Sequence, residues 1–188
     1  MGFFDFLFGG SKSTPNPADS VPQNDAERWS VAVYAIWSEF SNGSYKYFGG
    51  FEKNQSNASM AKRVLDRDWL IGSKESAIDM INYLLDEKNN AGKAAGKAAF
   101  NYGCAGNMAA RCYLAGFLTR EEMMAEASRV AKVIRENFHS WEEFAQHYIE
   151  GVGMELGSAD KQNEVSQIYQ RLVSLPDSPY SVDWNTPF

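Results

Sequence analysis

Apolar residues recur at steps of three and four along most of the chain, which is the periodicity of amphipathic helices. The first such segment begins at Asp25 and continues through Trp29, Val33, Ile36 and Phe40. Alternating patterns typical of strands are scarce, so the sequence predicts an all-α fold. The later segments with helical spacing are residues 58–69, 73–88, 119–138, 140–157 and 159–175.

One further helical stretch, residues 91–116, has a different pattern. It carries no charged side chain between Ala98 and Ala110, and alanine, glycine and cysteine recur throughout it. A helix that is apolar or small on every side is normally buried inside a domain. We therefore expect this stretch to be the central helix of a single-domain bundle of six or seven helices.

The segment after the first helix interrupts the helical pattern. Asn42-Gly43 and Gly49-Gly50 favour turns, and aromatic residues are interleaved between them. Such a segment forms either a loop or one short hairpin. We expect one of these near residues 44–52, at one end of the core.

The beginning of the chain differs in composition from the helical domain, residues 25–188. Residues 1–10 form an aromatic tip, and residues 11–24 contain three prolines among small polar side chains, as flexible linkers do. Because large apolar side chains are costly in water, the tip either packs on its own domain or an oligomer neighbour, or contacts a partner. Weak contact with a membrane surface is a further alternative. The phenylalanines of the tip are Phe3, Phe4, Phe6 and Phe8.

The composition is that of a globular protein with a single core. Of the 188 residues, 44% are hydrophobic and 22% are charged. The formal net charge of −6 repels phosphate backbones, and no cluster of lysine and arginine offsets it. We therefore expect no nucleic-acid partner.

The two cysteines and the hydropathy pattern bear on location in the cell. Cys104 and Cys112 are eight helical positions apart, which separates them by about 12 Å along the axis, beyond the reach of a disulfide. Free thiols are typical of a reducing compartment. No apolar run is long enough to span a bilayer, and the first residues lack the pattern of a secretory signal. We expect a cytoplasmic protein.

A small polar cluster lies within the otherwise apolar central helix. Helical spacing places Arg111 near Cys104 and Asn107, and Asn101 precedes them. These four side chains either line a polar pocket inside the bundle or have a structural role. In the second case Arg111 neutralises a buried acid from another helix and the asparagines satisfy backbone groups.

His139, Glu143 and His147 follow one another at intervals of four, and imidazole with carboxylate is a familiar ligand set for zinc or iron. Ser140, however, has the features of a helix N-cap, which places His139 outside the helix and off that face. We therefore predict no metal site and no cofactor.

Segments of the second half of the chain carry a resemblance to a known family. Residues 113–119 read Tyr-x-Ala-Gly-Phe-Leu-Thr, acidic residues follow at 121–122, and residues 140–144 read Ser-Trp-x-x-Phe. Together with the upstream segment 66–87, they resemble the bacterial Domain-of-Unknown-Function 1266 family. The resemblance implies a soluble helical protein and assigns no activity.

One position pair departs from that family's pattern. The family's small-residue helix usually begins with an aspartate and, three residues later, an arginine, and this chain has Asn101 and Cys104 at those places. If relatives use the aspartate and the arginine for a reaction, this chain lacks the charged groups for it.

No Ser-His-Asp arrangement is suggested by order or spacing, and acid–base chemistry would have to use carboxylates such as Asp68, Glu142 or Glu143. We therefore expect a non-enzymatic protein–protein interaction module, with an immunity-like or accessory role by analogy. The alternative is a small enzyme or ligand-binding domain that uses the pocket around Arg111. The candidate contact surface of the interaction module consists of the aromatic tip and Trp141.

Overall fold

The computed structural model describes residues 16–188, and the regular secondary structure in that part of the chain is entirely helical. The predicted all-α bundle is confirmed. There is one helix more than expected, because a helix of four residues follows the third one. The helices are α1 (Asp25–Phe40), α2 (Gln55–Trp69), α3 (Lys74–Leu85), α4 (Glu87–Asn90), α5 (Ala95–Ala115), α6 (Arg120–Asn137), α7 (Trp141–Leu156) and α8 (Ala159–Val173).

Helix α5 is the central helix, as its uncharged sequence predicts. Every residue from Tyr102 to Ala110 is buried. The helix contacts α1, α2, α3, α6 and α7, so other backbones surround it. Within residues 16–188, no helix is both long enough and apolar enough to cross a membrane.

Glycines allow α5 and α7 to approach each other closely. A Cβ atom on Gly151 would lie 2.0 Å from the carbonyl oxygen of Gly96, and one on Gly103 would lie 2.3 Å from the ring of Tyr148. Both separations are shorter than any contact between heavy atoms that are not bonded. The small residues of the central stretch therefore bring these two helices together.

Side-chain caps set the start of the later helices. Thr119 and Glu122 form a capping box at the start of α6. Ser140 caps α7 by accepting a hydrogen bond from the Glu143 N–H. The Glu143 carboxylate accepts from the N–H of His139 at 2.6 Å, so His139 lies before the helix, as the capping argument predicts.

The segment around residues 44–52 is a loop. Phe48–Gly50 form a single turn of 3₁₀ helix, and no residue between 16 and 188 is in a strand, so the hairpin alternative is not the one observed. Gly49 has a φ of 65°, and a Cβ there would lie 3.1 Å from the carbonyl oxygen of Ala110. The loop therefore packs its backbone on α5 instead of pairing with itself.

Residues 16–24, the part of the predicted linker that the structure describes, are packed on the domain. The Tyr113 hydroxyl donates to the carbonyl of Asp19 at 2.8 Å, and Arg120 donates to the carbonyls of Ala18 and Val21. Side chains of α5 and α6 thus hold this segment in place. The aromatic tip with Phe3, Phe4, Phe6 and Phe8 lies outside the described residues.

Trp141 is not available as a contact surface, which corrects the prediction made from the sequence. It is 8% exposed, because the segment after α8 covers it. Its indole Nε1–H donates to the carbonyl of Val182 at 2.9 Å, and its ring lies 4.7 Å from that of Trp29 and 4.9 Å from that of Trp184. Trp141 therefore belongs to an aromatic cluster of the core.

Candidate functional site

Two neighbouring cavities on one side of α5 share lining residues, and we call the two together the Arg111 cleft. Their volumes are about 300 and 310 Å³, and both are lined by Trp37, Val64, Asp68 and Arg111. The first cavity, the loop arm, extends towards the loop that contains Gly49. The second, the helix arm, extends along α5. Helices α1 and α2 face α5 across the cleft.

Apolar side chains line most of both arms. Phe51, Met60 and Leu114 lie in the loop arm. Phe100, Met108 and Leu156 lie in the helix arm, and Leu156 is 43% exposed at its rim. Ligand pockets typically combine apolar walls of this kind with a few polar groups that fix the orientation of the ligand.

Arg111 is the central polar group of the cleft. Its Nη2 donates to the Oγ of Ser41 at 3.3 Å, whereas its Nε is buried and has no hydrogen-bond partner in the described residues. Burial lowers the pKa of the guanidinium, and the charge of Asp68 opposes that shift. An arginine in a protein stays charged nevertheless. The cleft therefore contains a cation whose donors are only partly used.

Asp68 does not neutralise Arg111 through an ion pair. Its carboxylate accepts from the Nε and Nη2 of Arg67 at 2.5 and 2.7 Å. Those hydrogen bonds lower the pKa of the Asp68 carboxyl, so it is ionised at neutral pH. Arg67, which also lines the loop arm, is thus the counterion of Asp68.

Asn107 supplies the second unsatisfied polar group of the cleft. The residue is 8% exposed, and its Oδ1 is buried with no donor in the part of the chain that the structure describes. A buried polar atom without a partner costs about 1–3 kcal/mol, and most such atoms in folded proteins are satisfied. The Asn107 Oδ1 and the Arg111 Nε both have almost no accessible surface, so they are enclosed by the protein and do not face the cleft.

Cys104 lines the helix arm but is a poor nucleophile. Burial raises the pKa of its thiol to about 12, with the charge of Glu155 adding to this and that of Arg111 opposing it. Only the thiolate is an effective nucleophile, so the thiol is inert at neutral pH. Burial likewise raises the pKa of Cys112 to about 12.

The structure brings together three of the four side chains singled out from the sequence. Cys104, Asn107 and Arg111 line the helix arm. The Nδ2 of Asn101 instead donates to the Oδ1 of Asn90, the last residue of α4, at 2.8 Å. Asn101 is therefore a structural residue at the start of the central helix.

Sequence reasoning missed the walls of the cleft that α1 and α2 provide. Trp37 and Val64 follow the same helical spacing as core residues, so nothing in the pattern distinguishes them. Arg67 and Asp68 are adjacent charges on a solvent-exposed helix, which is a common arrangement. Which of these side chains faces Arg111 is decided by tertiary packing alone.

Other polar regions of the described chain are less suited to bind a ligand. A larger cavity, of about 550 Å³, lies between α1 and the segment after α8. Its two cations, Arg28 and Lys46, are each paired at 3.0 Å, with Asp25 and Asp177 respectively. No group of three or more histidine, cysteine, aspartate or glutamate side chains within residues 16–188 could hold a metal ion.

The fold and the cleft define an all-α domain whose buried central helix presents a partly satisfied arginine to an apolar cleft. A family model described as protein of unknown function (DUF1266) matches residues 89–184. The chain belongs to this family, which confirms the predicted resemblance. The matched region contains the α5 wall of the cleft, whereas the α1 and α2 walls lie before it. No curated protein and no solved structure matches the chain.

Proposed function

We propose that this protein is a non-enzymatic binding module that holds an anionic group of its ligand in the Arg111 cleft. The observation that carries the proposal is the Arg111 guanidinium, whose one hydrogen bond within the described residues is from Nη2 to the Oγ of Ser41, at 3.3 Å. A guanidinium presents its donors in a planar fork that matches a carboxylate or a phosphate. An anion in the cleft would accept hydrogen bonds from the terminal N–H groups of Arg111, most of which have no acceptor within the described residues.

Binding without chemical conversion fits the titratable groups of the cleft. A general acid or base works best with a pKa near the operating pH. The pKa of the Cys104 thiol is about 12, and that of the Asp68 carboxyl is lowered by its hydrogen bonds to Arg67. Neither group exchanges a proton readily at neutral pH.

We place the protein in the cytoplasm. Cys104 and Cys112 are both free and buried, which supports a reducing compartment. Trp141 plays no part in the proposed binding, because it is covered within the domain.

The proposal is tested by the NMR resonance of the Arg111 Nε–H group, assigned by its loss in Arg111→Met. The probes are hexanoate and hexyl phosphate as anions, with hexan-1-ol as the neutral analogue. We expect at least one anion to shift this resonance saturably and the alcohol to leave it unchanged. Equal shifts with the alcohol, or none with either anion, would refute anion binding at Arg111.

A matched variant controls for the loss of one positive charge. Arg63 lies on the exposed side of α2 and lines neither arm. Arg63→Met changes the net charge as Arg111→Met does, so anion binding should persist in it. Loss of binding in both variants would mean that the anions respond to overall charge, not to the cleft.

A further inference from the structure

The hydrogen bond of Arg111 indicates which of the two cavities adjoins its guanidinium. The Nη2 atom lies 3.3 Å from the Oγ of Ser41. Ser41 lines the loop arm and does not line the helix arm. The end of the guanidinium that carries Nη2 therefore lies beside the loop arm, and an anion that accepts from it occupies this arm.

The volume of the loop arm limits the ligand to a small molecule. The arm has a volume of about 300 Å³, which is at the lower end of the range for ligand pockets. An apolar cavity of about 150 Å³ holds one molecule of benzene. The loop arm therefore has room for a single six-membered ring, a short chain and one acidic group.

The apolar side chains of the loop arm include two aromatic rings and a thioether. Trp37, Phe51 and Met60 line the arm, and each of them is half-buried. Aromatic rings pack favourably on other rings, either offset or edge-on, and the sulfur of methionine makes favourable contacts with ring edges. These side chains therefore favour an aromatic ring over a saturated group of similar size.

The charges of the loop arm favour a single negative charge on the ligand. Arg67 and Arg111 carry two positive charges, and Asp68 carries one negative charge. The Asp68 carboxyl is ionised at neutral pH, because the hydrogen bonds from Arg67 lower its pKa. One carboxylate on the ligand balances the arm, whereas a second one would be repelled by Asp68.

We infer that the ligand is a small aromatic monocarboxylate that binds in the loop arm. Its carboxylate accepts hydrogen bonds from Arg111, and its ring packs against Trp37, Phe51 and Met60. The inference rests on the proposed function, because it requires Arg111 to bind an anion. The helix arm takes no part in this binding, so the side chains that line only that arm serve as internal controls.

Four small probes test the chemistry of the ligand. The reference is 3-phenylpropanoate, and the others are 3-cyclohexylpropanoate with a saturated ring, 3-phenylpropan-1-ol without a charge, and phenylsuccinate with a second carboxylate. Affinities are measured from the saturable shift of the Met60 methyl resonance in NMR spectra, assigned by its loss in Met60→Leu. This methyl group lies in the loop arm and responds to charged and neutral ligands alike.

We expect 3-phenylpropanoate to bind most tightly of the four. It should bind at least about twofold more tightly than the saturated acid, because the contacts between rings are lost in the latter. Its advantage over phenylsuccinate should be at least about threefold, because Asp68 repels the second carboxylate. The alcohol should bind at least about tenfold more weakly, because it makes no charged hydrogen bond with Arg111.

Two methionine methyl groups locate the ring of the bound acid. Met60 lines the loop arm, and Met108 lines the helix arm. Each resonance is assigned by its loss when the residue is replaced by leucine. The ring protons of 3-phenylpropanoate should show nuclear Overhauser effects with the Met60 methyl group and none with that of Met108. Effects with Met108 alone would place the ring in the helix arm and overturn the inference.

Protein variants test the side chains that select the ligand, and circular dichroism checks that each variant is folded. Phe51→Leu removes a ring and keeps an apolar side chain, so it should lower the preference for 3-phenylpropanoate over the saturated acid. Asp68→Asn removes the repelling charge and should abolish the preference over phenylsuccinate. The control is Leu156→Ala at the helix arm, which should leave the affinity for 3-phenylpropanoate within about twofold.

The outcomes separate the inference from the proposed function. Equal affinities for the aromatic and saturated acids, or for 3-phenylpropanoate and phenylsuccinate, would overturn the inference. If Arg111→Met nevertheless weakened the binding of these acids, anion binding at Arg111 would still be supported. If the alcohol binds as tightly as the acids, or if Arg111→Met binds the acids unchanged, both the proposed function and the inference are wrong.

Discussion

Two arginines at either end of the α5–α6 turn have opposite environments. Arg120 donates from its Nε and Nη2 to both carboxylate oxygens of Glu27, at 2.7 and 2.8 Å, and also to the carbonyls of Ala18 and Val21. Within residues 16–188, Arg111 donates only to the hydroxyl of Ser41, at 3.3 Å. Four hydrogen bonds tie the Arg120 guanidinium to the fold, and one ties that of Arg111.

The difference separates a structural cation from one available to a ligand. Arg120 and Glu27 join α6 to α1 and to the segment before it, so that their hydrogen bonds cross-link the domain. Arg111 holds no other element in place apart from its weak contact with α1. Burial alone therefore does not distinguish the two roles, whereas the number of satisfied donors does.

The largest effect on stability is expected at the structural pair. Arg120→Met would leave the Glu27 carboxylate, 6% exposed, without its cation. Breaking a buried ion pair by removing one partner costs about 3–5 kcal/mol, and we expect the lower end because Arg120 is partly exposed. Urea unfolding measures the loss. A loss no larger than that of Arg111→Met would contradict the contrast between the two arginines.

The same pair should give the protein an acid-dependent stability. Burial raises the pKa of the Glu27 carboxyl, but hydrogen bonds from Arg120 and from the Gln23 N–H, with the charge of Arg120, outweigh burial and lower the pKa below 4.5. A lowered folded-state pKa stabilises the fold above the unfolded-state value, and the gain is lost as the pH falls through the folded-state value.

Unfolding free energies measured between pH 6 and pH 3 check this linkage. Arg120→Met removes the hydrogen bonds and the charge of Arg120 and keeps the hydrogen bond from the Gln23 N–H, so the pKa of Glu27 should rise and stability should fall less steeply on acidification. The unfolding free energy of Arg111→Met should depend on pH as that of the natural protein does, because no carboxylate within the described residues is hydrogen-bonded to Arg111. Parallel curves for all three proteins would show that the Glu27 pair does not cause the acid dependence.

An intermediate loss of stability is expected when Asn101, the hydrogen-bonded asparagine of α5, is replaced. Asn101→Ala removes its hydrogen bond to Asn90 and should cost about 1 kcal/mol. The affinity for the anion that binds at Arg111 should stay within about twofold, since the Asn101 side chain lies outside the cleft. Chemical unfolding and calorimetry measure the two quantities. A large loss of affinity without a loss of stability would indicate that Asn101 takes part in binding.

The smallest change in stability is expected for Arg111→Met. The substitution removes a buried charge that has a single weak hydrogen bond, so the unfolding free energy should change by less than about 1 kcal/mol, or increase. Urea unfolding provides the value, with Arg63→Met as the exposed control. A loss comparable to that of Arg120→Met would indicate that Arg111 is structural and would weaken the proposed binding role.

Local patterns predicted much of the fold, because helices and their caps depend on neighbouring residues. The absence of charge between Ala98 and Ala110 was sufficient to predict a buried central helix, and the side chain of Ser140 indicated the start of α7. The burial of Trp141 was not predictable in this way. It depends on a segment far along the chain that folds back over α7.

Only the part of the candidate site that lies on α5 was predictable from the sequence. At about 100° per residue, Cys104 and Asn107 lie within about 40° of Arg111 around the helix, whereas Asn101 lies about 80° away. This difference in angle around the helix explains why Asn101 contacts Asn90 and does not line the cleft. The opposite wall, with Trp37 and Asp68, belongs to other helices, and no local pattern indicates how helices pair.

The glycine contact between α5 and α7 has a consequence for how the cleft could admit a partner. With Gly96 against Gly151, the wall that carries Arg111 is fixed to its neighbour. Helix α2, on the opposite side, is anchored by only two buried residues, Ala61 and Leu65. Local opening is least costly where few apolar contacts are lost. Amide hydrogens of α2 should therefore exchange with solvent faster than those of α5, and a bound partner should slow them.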